Sequence, residues 1–317
     1  MTEPLLRRLA DRGEHLTVGA LPWVAPVYRA MPQVAEVIEF PFAHGGLQWS
    51  ARRLLARQLK GRFDTAYVCP NSLKSALLPF LAGIPKRVGY LGESRFGLLT
   101  QRLKNPPRDQ RPPMIGFYTA LSGEKGSDSD RPELHLDARA VDQALADMGL
   151  QRGGYYVFAP GAEYGPAKRW PAAHFSELAL GLDLPVVLLG SGKEFALCDE
   201  IAAPVNAKQP GKCINLAGKT SLAHAFSAIA ATKSIASNDS GLMHVAAAFN
   251  VRQVAIFGSS SPLHTPPLNQ QATILWLKTQ PDYQPPLDCA PCFERVCPLG
   301  HTRCLVDITP AAVLQNM

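Results

Sequence analysis

The sequence predicts an α/β protein built from two parallel sheets, each covered by helices on both faces. Its 317 residues are 46% hydrophobic and 18% charged, which is typical of a globular chain long enough for two domains. Short apolar runs alternate with helical stretches, a pattern that favours parallel strands. A polar stretch divides the alternation into two series. We therefore predict two facing Rossmann-like domains, at 1–150 and 151–317.

The positive charge is concentrated in the first third of the chain. Residues 1–111 hold 17 Lys and Arg against 8 Asp and Glu, whereas the whole chain carries only +6. Such an excess favours an anionic partner, namely nucleic acid, a phosphorylated sugar or an acidic membrane surface, although solubility alone also explains it. No apolar run approaches the ~18 residues of a membrane span. The charged start does not resemble a signal peptide, so we expect a cytoplasmic protein.

In the first domain, the stretch MTEPLLRRLADRG predicts an amphipathic helix with Leu5, Leu6 and Leu9 on one face. Strands are predicted at 15–21, 36–40, 65–69 and 86–90, and helices at about 47–60 and 72–83. Residues 104–113 and 122–135 are too polar or too rich in proline for regular structure.

In the second domain the alternation is clearer. Strands are predicted at 155–160, 185–190, 213–218, 233–239 and 252–258, with helices at about 171–181, 193–203, 221–231 and 241–249. A last helix begins at Thr309 as N-cap, with Pro310 in the first helical position. Because ligands bind at the carboxyl ends of parallel strands, the loops after these strands are the candidate sites.

One such loop opens the stretch SNDSGLMHVAAAFN (237–250). Asp239 or Ser240 caps the following helix, and Gly241 lets a ligand approach backbone N–H groups that suit a phosphate. Asp239 would repel a phosphate that it touched, so we expect it to cap the helix or to accept a ligand hydroxyl. His244 lies one turn further on and reaches the same ligand. The alternative is an ordinary capped helix with a core-facing histidine.

A second loop, PGAEYGPAKRWP (160–171), carries Lys168 as a cation for a diphosphate, with Trp170 as its anchor. The alternative is a surface lysine beside a packing tryptophan. A third loop, LLGSGKE (188–194), admits a nucleotide near Ser191. The chain contains neither a Walker phosphate loop nor a G-x-G-x-x-G motif. Phosphate-binding features spread over several loops favour a nucleotide sugar as the ligand.

In the first domain, Asn71 and Lys74 open a helix at the carboxyl end of a strand, and Arg87 and Arg95 follow. This group is predicted to wall a pocket for an acidic ligand. The alternative is a solvated basic face.

The chain has seven cysteines, of which Cys69, Cys198 and Cys213 lie among apolar neighbours and are predicted to be buried thiols. The other four have the spacing C-x2-C-x4-C-x6-C, with His301 among them: Cys289, Cys292, Cys297 and Cys304. Four cysteines within sixteen residues of a cytosolic chain favour a structural thiolate site for zinc or another metal. Unligated thiols or an adventitious disulfide are the alternatives.

Four stretches together resemble the lipopolysaccharide heptosyltransferases: PGAEYGPAKRWP, SNDSGLMHVAAAFN, GSSSPLHTPPL and PNSLKSALLPFLAGIPKRVGY. The resemblance covers essentially the whole chain and implies a GT-B architecture, with the donor held by the C-terminal domain. The implied donor is ADP-L-glycero-D-manno-heptose. The implied acceptor is the first heptose of the inner core on Kdo-lipid A, at the cytoplasmic face of the inner membrane. Nucleic acid is not an implied partner.

The resemblance also implies roles for individual residues. Lys168 would hold the donor diphosphate, and the remaining donor contacts would be Ser191, Glu194, Asp239, Ser240, Gly241 and His244. On charge, we expect the acceptor to contact Asn71, Lys74, Arg87 and Arg95. The implied reaction is inverting and direct and needs no cofactor. A carboxylate deprotonates the acceptor hydroxyl as that oxygen attacks the anomeric carbon and ADP leaves.

The implied general base is an Asp in a glycine-containing loop between a first strand and a first helix. That helix matches MTEPLLRRLADRG, and the strand and loop have no counterpart, so the catalytic residue is expected upstream of Met1. Asp64 does not replace it, because it lies before a predicted strand, at the end opposite to the loops that bind ligands. We expect the natural chain to begin about twenty residues earlier, with a strand between those at 15–21 and 65–69.

Two other functions fit the same residues. The first is a GT-B transferase or an epimerase for another nucleotide sugar. An epimerase needs acid and base carboxylates around the sugar, which the motifs do not provide. The second is a protein that binds the donor but no longer catalyses.

Overall fold

The structure, a computed structural model, describes residues 1–42, 46–107, 112–124 and 130–317. It divides the chain into two compact units, Met1–Asp130 and Arg131–Met317. The boundary lies before the helix α6 (Ala138–Asp147), whereas the sequence placed it after this helix. The difference arises because α6 packs against α9 (Leu222–Ala230) of the second unit.

The elements of unit 1 have the following bounds: α1 Glu3–Asp11, β1 Leu16–Ala20, α2 Ala25–Arg29, β2 Val34–Glu39, α3 Trp49–Leu59, β3 Thr65–Val68, α4 Leu73–Leu81, β4 Lys86–Tyr90, β5 Gln101–Leu103 and α5 Met114–Thr119. All strand pairs are parallel, as predicted. Of the stretches expected to be irregular, residues 108–111 and 125–129 lie outside the described residues.

Unit 1 contains two separate sheets with a helix packed on both. β1 pairs with β2, and β3, β4 and β5 form the other sheet in that order. Leu5 and Leu9 of α1 are fully buried in one cluster with Leu16 of β1 and with Val88 and Tyr90 of β4. Within the described residues, no strand lies between β1 and β3. The expected additional strand at this position stays a prediction.

Unit 2 has a single parallel sheet, with these bounds after α6: β6 Tyr156–Ala159, α7 Ala172–Gly181, β7 Val186–Leu188, α8 Phe195–Lys208, β8 Cys213–Asn215, α9 Leu222–Ala230, β9 Ile235–Asn238, α10 Gly241–Ala248, β10 Gln253–Ile256, β11 Ala272–Leu275, α11 Arg303–Val306 and α12 Pro310–Leu314. The strand order is β11-β10-β9-β6-β7-β8. The direction of the winding reverses between β6 and β9. In such sheets, this reversal marks the crevice where ligands bind.

Several local predictions are confirmed in unit 2. The Thr309 hydroxyl accepts a hydrogen bond from the Ala312 N–H at 3.2 Å and caps α12. Cys198 and Cys213 are buried, and burial raises the pKa of Cys213 to about 11. In unit 1, Cys69 is half-buried. None of the helices within the described ranges is both long and apolar enough to cross a membrane.

We expect Leu9→Ala to lower the free energy of unfolding by about 2–5 kcal/mol, because it leaves a cavity where α1 meets both sheets. Urea denaturation followed by circular dichroism measures this. The matched control is Leu54→Ala, since Leu54 is 59% exposed, and its effect should stay within about 0.5 kcal/mol. Equal effects of the two substitutions would show that α1 does not hold the sheets together.

Candidate functional site

The two loops at the switch point meet through an ion pair. Lys168 lies in the loop after β6, and Asp239 directly follows β9. The Lys168 Nζ lies 2.5 Å from the Asp239 Oδ2, and the other carboxylate oxygen accepts from the Thr265 hydroxyl at 3.4 Å. Asp239 is buried. The fold therefore brings together two residues that the sequence assigned to separate loops.

Asn238, the last residue of β9, fixes both ends of the Lys168 loop. Its Nδ2 donates to the Pro160 carbonyl at 2.7 Å, and its Oδ1 accepts from the Trp170 N–H at 3.0 Å. Trp170 is buried, as expected of an anchor, and its Nε1 donates to the Ile308 carbonyl at 2.9 Å. Sequence reasoning missed Asn238, although an amide side chain ending an apolar strand was a usable signal.

Four buried serine hydroxyls lie in β9, at the N-cap of α10 and in the loop after β10. The side chains of Ser237, Ser240, Ser259 and Ser260 have no hydrogen-bond partner within the described part of the chain. Ser240 occupies the N-cap position without making a side-chain cap bond. Buried hydroxyls are normally satisfied, so this group, next to the free N–H groups of a helix start, is suited to an anion.

Three of these serines, Ser237, Ser259 and Ser260, were not assigned from the sequence. Ser259 and Ser260 follow β10, the neighbour of β9 in the sheet, and both are buried. Thr265, the partner of Asp239, belongs to the same stretch and was also missed. The run GSSSP after an apolar strand was the available signal.

His244 lies one turn into α10. Burial lowers its pKa to about 4, so the imidazole is neutral at pH 7. A neutral imidazole offers one donor and one acceptor and adds no charge to the site.

The third predicted loop lies beside the Lys168 loop. Ser191 and Glu194 form a capping box, in which the Glu194 Oε2 accepts from the Ser191 N–H at 2.6 Å. The Glu194 carboxylate lies so close to Gly161 that a Cβ there would be 1.7 Å from its Oε1. A glycine at 161 is therefore required for this approach.

Two of the residues predicted to contact the acceptor bind backbone carbonyls of unit 1. Arg95 is fully buried and donates to the Pro70 carbonyl at 2.7 Å and to the Asn71 Oδ1 at 3.0 Å. The Arg87 Nε donates to the Leu98 carbonyl at 2.6 Å. Both guanidinium groups thus bind backbone carbonyls of unit 1, and the acceptor role of Arg87 and Arg95 stays a prediction. The roles of Asn71 and Lys74 stay predictions.

The cysteine-rich segment, residues 289–304, does not form the expected metal site. Within the described ranges, no group of three or more His, Cys, Asp or Glu side chains is arranged to hold a metal ion. The four cysteines are free thiols. Cys289 and Cys304 pack against the apolar core of unit 2, and burial raises the pKa of Cys304 to about 11. Cys289, Cys292, Cys297, His301 and Cys304 nevertheless line one small cavity, in which the Cys289 Sγ lies 4.0 Å from the His301 Nε2.

The chain belongs to glycosyltransferase family 9 (heptosyltransferase), whose family model matches residues 52–302. It is 40% identical over 333 residues to lipopolysaccharide heptosyltransferase 2 of Escherichia coli K12, covering 100% of this chain and 93% of the relative. It is 39% identical to lipooligosaccharide heptosyltransferase 2 of Haemophilus influenzae Rd, covering 96% of this chain and 89% of that one. The resemblance found in the sequence is confirmed.

Solved structures agree with this assignment. The E. coli ADP-heptose LPS heptosyltransferase II matches with a TM-score of 0.84 at 38% identity, over 99% of this chain and 92% of that chain. The E. coli heptosyltransferase WaaC with ADP-2-deoxy-2-fluoro heptose matches with a TM-score of 0.65 at 17% identity, over 99% and 93%. At that identity the second match shows the fold alone. The expected α/β fold of the GT-B class is confirmed.

The hydrogen bonds of Asn238 predict a large effect of Asn238→Ala. The substitution orphans a buried carbonyl and a buried N–H, each at about 1–3 kcal/mol, so thermal and urea unfolding should both show a marked loss. Asn316→Ala is the control, because the half-buried Asn316 makes one bond, to the Ala312 carbonyl. If Asn238→Ala cost no more than the control, Asn238 would not be the tie between the loops.

Proposed function

We propose that this chain transfers L-glycero-D-manno-heptose from ADP-heptose to the first heptose of the lipopolysaccharide inner core, on Kdo-lipid A. The names of its relatives support the reaction. The observation that carries the proposal is the Lys168–Asp239 pair, which lies at the switch point of the unit 2 sheet beside unpaired serine hydroxyls.

On the donor side, Lys168 supplies the positive charge for the diphosphate. Asp239 holds the ammonium group in place before the donor arrives, which avoids reorganisation at the moment of reaction. The N–H groups at the start of α10 and the hydroxyls of Ser259 and Ser260 add uncharged donors. As the bond to the anomeric carbon breaks, these groups meet the charge that grows on ADP. We propose that the transfer therefore needs no cofactor.

Asp239 itself is unsuited to a phosphate, because two anions repel each other. Its carboxylate already accepts from Lys168 and Thr265, and we propose that it also accepts a hydroxyl of the donor sugar. Ser240, Gly241 and His244 line the same part of the donor. Ser191 and Glu194, at the next loop, contact the nucleoside. The general base that deprotonates the acceptor is not assigned to any of these residues.

We expect Lys168→Ala to lower the rate of heptose transfer by about 10²–10³-fold, since it removes the charge that meets the leaving diphosphate. Labelled heptose incorporation into heptosyl-Kdo-lipid A measures the rate, and calorimetry with ADP measures binding. Lys208→Ala is the matched control, because Lys208 is exposed and lies at the end of α8 that is opposite to Ser191 and Glu194. Its rate should remain within about twofold of the unmodified chain.

The controls separate the rival functions. An unmodified chain that binds ADP without transferring heptose would be a donor-binding protein. A chain that binds a different nucleotide sugar more tightly would be a transferase or an epimerase for that sugar. Equal rates for Lys168→Ala and the control would contradict the role of Lys168.

We further propose that the protein contacts the cytoplasmic face of the inner membrane through helix α3 of unit 1. Trp49 and Leu54 on this helix are 45% and 59% exposed, and Arg53 and Arg57 are exposed beside them. The sequence from residue 40 to 63 contains no acidic residue. An exposed helix face with a tryptophan, a leucine and unopposed arginines suits an interface with anionic lipid.

The α3 surface predicts a charge-dependent affinity for lipid. Replacing both Arg53 and Arg57 by alanine should weaken binding to phosphatidylglycerol vesicles by about 30-fold, at roughly 1 kcal/mol for each charge. Vesicle sedimentation at two salt concentrations measures this, and Arg139→Ala with Arg252→Ala removes two exposed arginines of unit 2 as the control. The same loss for both pairs would place the contact elsewhere.

A further inference from the structure

The cysteine-rich segment contacts both loops that build the donor site. The Phe293 N–H donates to the Ser259 carbonyl at 2.8 Å, and the Tyr164 hydroxyl donates to the Phe293 carbonyl at 2.7 Å. Ser259 belongs to the loop with the unpaired hydroxyls, and Tyr164 lies four residues before Lys168. Resting on the function proposed above, we propose that Arg295 of this segment is a positioning residue. It acts on Lys168 through Tyr164.

Arg295 binds the Lys168 loop through its side chain and its backbone at once. Its Nε donates to the Tyr164 carbonyl at 2.7 Å. Its own carbonyl accepts from the N–H of Ala167, the residue before Lys168, at 3.1 Å. The two bonds enclose the turn 164–167, so the backbone leading to Lys168 is set from the cysteine-rich segment.

Gly165 shows how closely the two segments approach. A Cβ at this position would lie 2.3 Å from the Arg295 carbonyl oxygen, which is far inside any allowed contact. The added Cβ would meet backbone atoms of Arg295, so rotation of a side chain does not relieve the clash. The turn and the segment therefore fit each other in one arrangement.

The Tyr164 ring connects the two cations. The Arg295 guanidinium carbon and the Lys168 Nζ each lie 5.5 Å from the ring centroid. Both distances are within the range in which a cation is attracted to an aromatic ring. Lys168 thus has one partner in a buried carboxylate, Asp239, and another in a ring that is 45% exposed and is oriented by Arg295.

These contacts explain what Arg295 does for the reaction. Asp239 alone holds the ammonium group close to the carboxylate, and the ring provides a second favourable contact on the same ammonium group. When Arg295 is removed, the turn 164–167 loses one side-chain bond and the orientation of its ring, while Lys168 keeps its charge. A displacement of about 1 Å in a charged catalytic group lowers rates by up to about 100-fold.

We expect Arg295→Ala to lower kcat by about 10- to 100-fold, with a smaller change in KM for ADP-heptose. Arg295→Lys keeps a cation for the Tyr164 ring but lacks the Nε donor, so its kcat should be intermediate. Val296→Ala is the matched control, since the neighbouring Val296 is 66% exposed, and it should transfer heptose at the unmodified rate. If Arg295→Ala fails to fold, Tyr164→Leu tests the same contact, because it removes the ring between Arg295 and Lys168 and should lower kcat as well.

The decisive measurement is a double-mutant cycle with Lys168→Ala. If Arg295 acts through Lys168, Arg295→Ala should change kcat by less than about twofold once Lys168 is absent. An unchanged 10- to 100-fold loss in that background would overturn the proposal and leave Arg295 with a merely structural role. The proposal would also be overturned if Arg295→Ala, in a chain that keeps Lys168, had the same kcat as Val296→Ala.

The same cycle separates this inference from the proposed function. If the unmodified chain transfers no heptose, the proposed function fails, and the cycle is then measured on ADP affinity by calorimetry. Arg295→Ala should weaken ADP binding several-fold when Lys168 is present and not when it is absent. If Arg295→Ala changed the ADP affinity by the same factor with and without Lys168, the positioning role would be overturned independently of catalysis.

Discussion

The reversal of strand order between β6 and β9 is the constraint on which the donor site depends. The chain winds from β6 towards β8 on one side and from β9 towards β11 on the other, so the loops after β6 and β9 diverge and leave a crevice. Lys168 and Asp239 enter this crevice from opposite sides and meet at 2.5 Å. Asn238 ties the two loops at the same point. The neighbouring residues Asn238 and Asp239 therefore hold the Lys168 loop and the Lys168 side chain, respectively.

The electrostatics of the site follow from that arrangement. A buried carboxylate without a partner is unfavourable, so Asp239 keeps the Lys168 ammonium in the crevice even without a ligand. In the proposed function, the donor diphosphate competes for a cation that is already in place. The remaining donors are dipoles: helix N–H groups, serine hydroxyls and a neutral His244. Lys168 is the cation that is paired with the buried carboxylate of this site.

The sequence predicted those features that depend on local pattern. The strands of unit 2 are apolar runs bounded by turn residues, and the strand-end rule led to Lys168 and Asp239. It did not reveal the role of Asn238: an amide at the end of an apolar strand marks a polar position, but it does not show which backbone groups the side chain will bind. It also did not reveal the bonds of Arg87 and Arg95 to backbone carbonyls, since a basic residue in sequence does not show which groups its charge will meet. The short strands β5 and β11 were not predicted, because their sequences show no alternating pattern. The sequence of α6 also does not indicate which of the two units the helix packs against.

The cysteine-rich segment is held at both ends by apolar contacts with the core of unit 2. Cys289 and Cys304, near its two ends, pack against the core of unit 2, whereas Phe293 and Val296 between them are at least half exposed. Two buried ends and an exposed middle define a loop that projects from a fixed base. Its backbone then binds the loops of Lys168 and Ser259. The apolar contacts at both ends hold the loop beside the loops of Lys168 and Ser259.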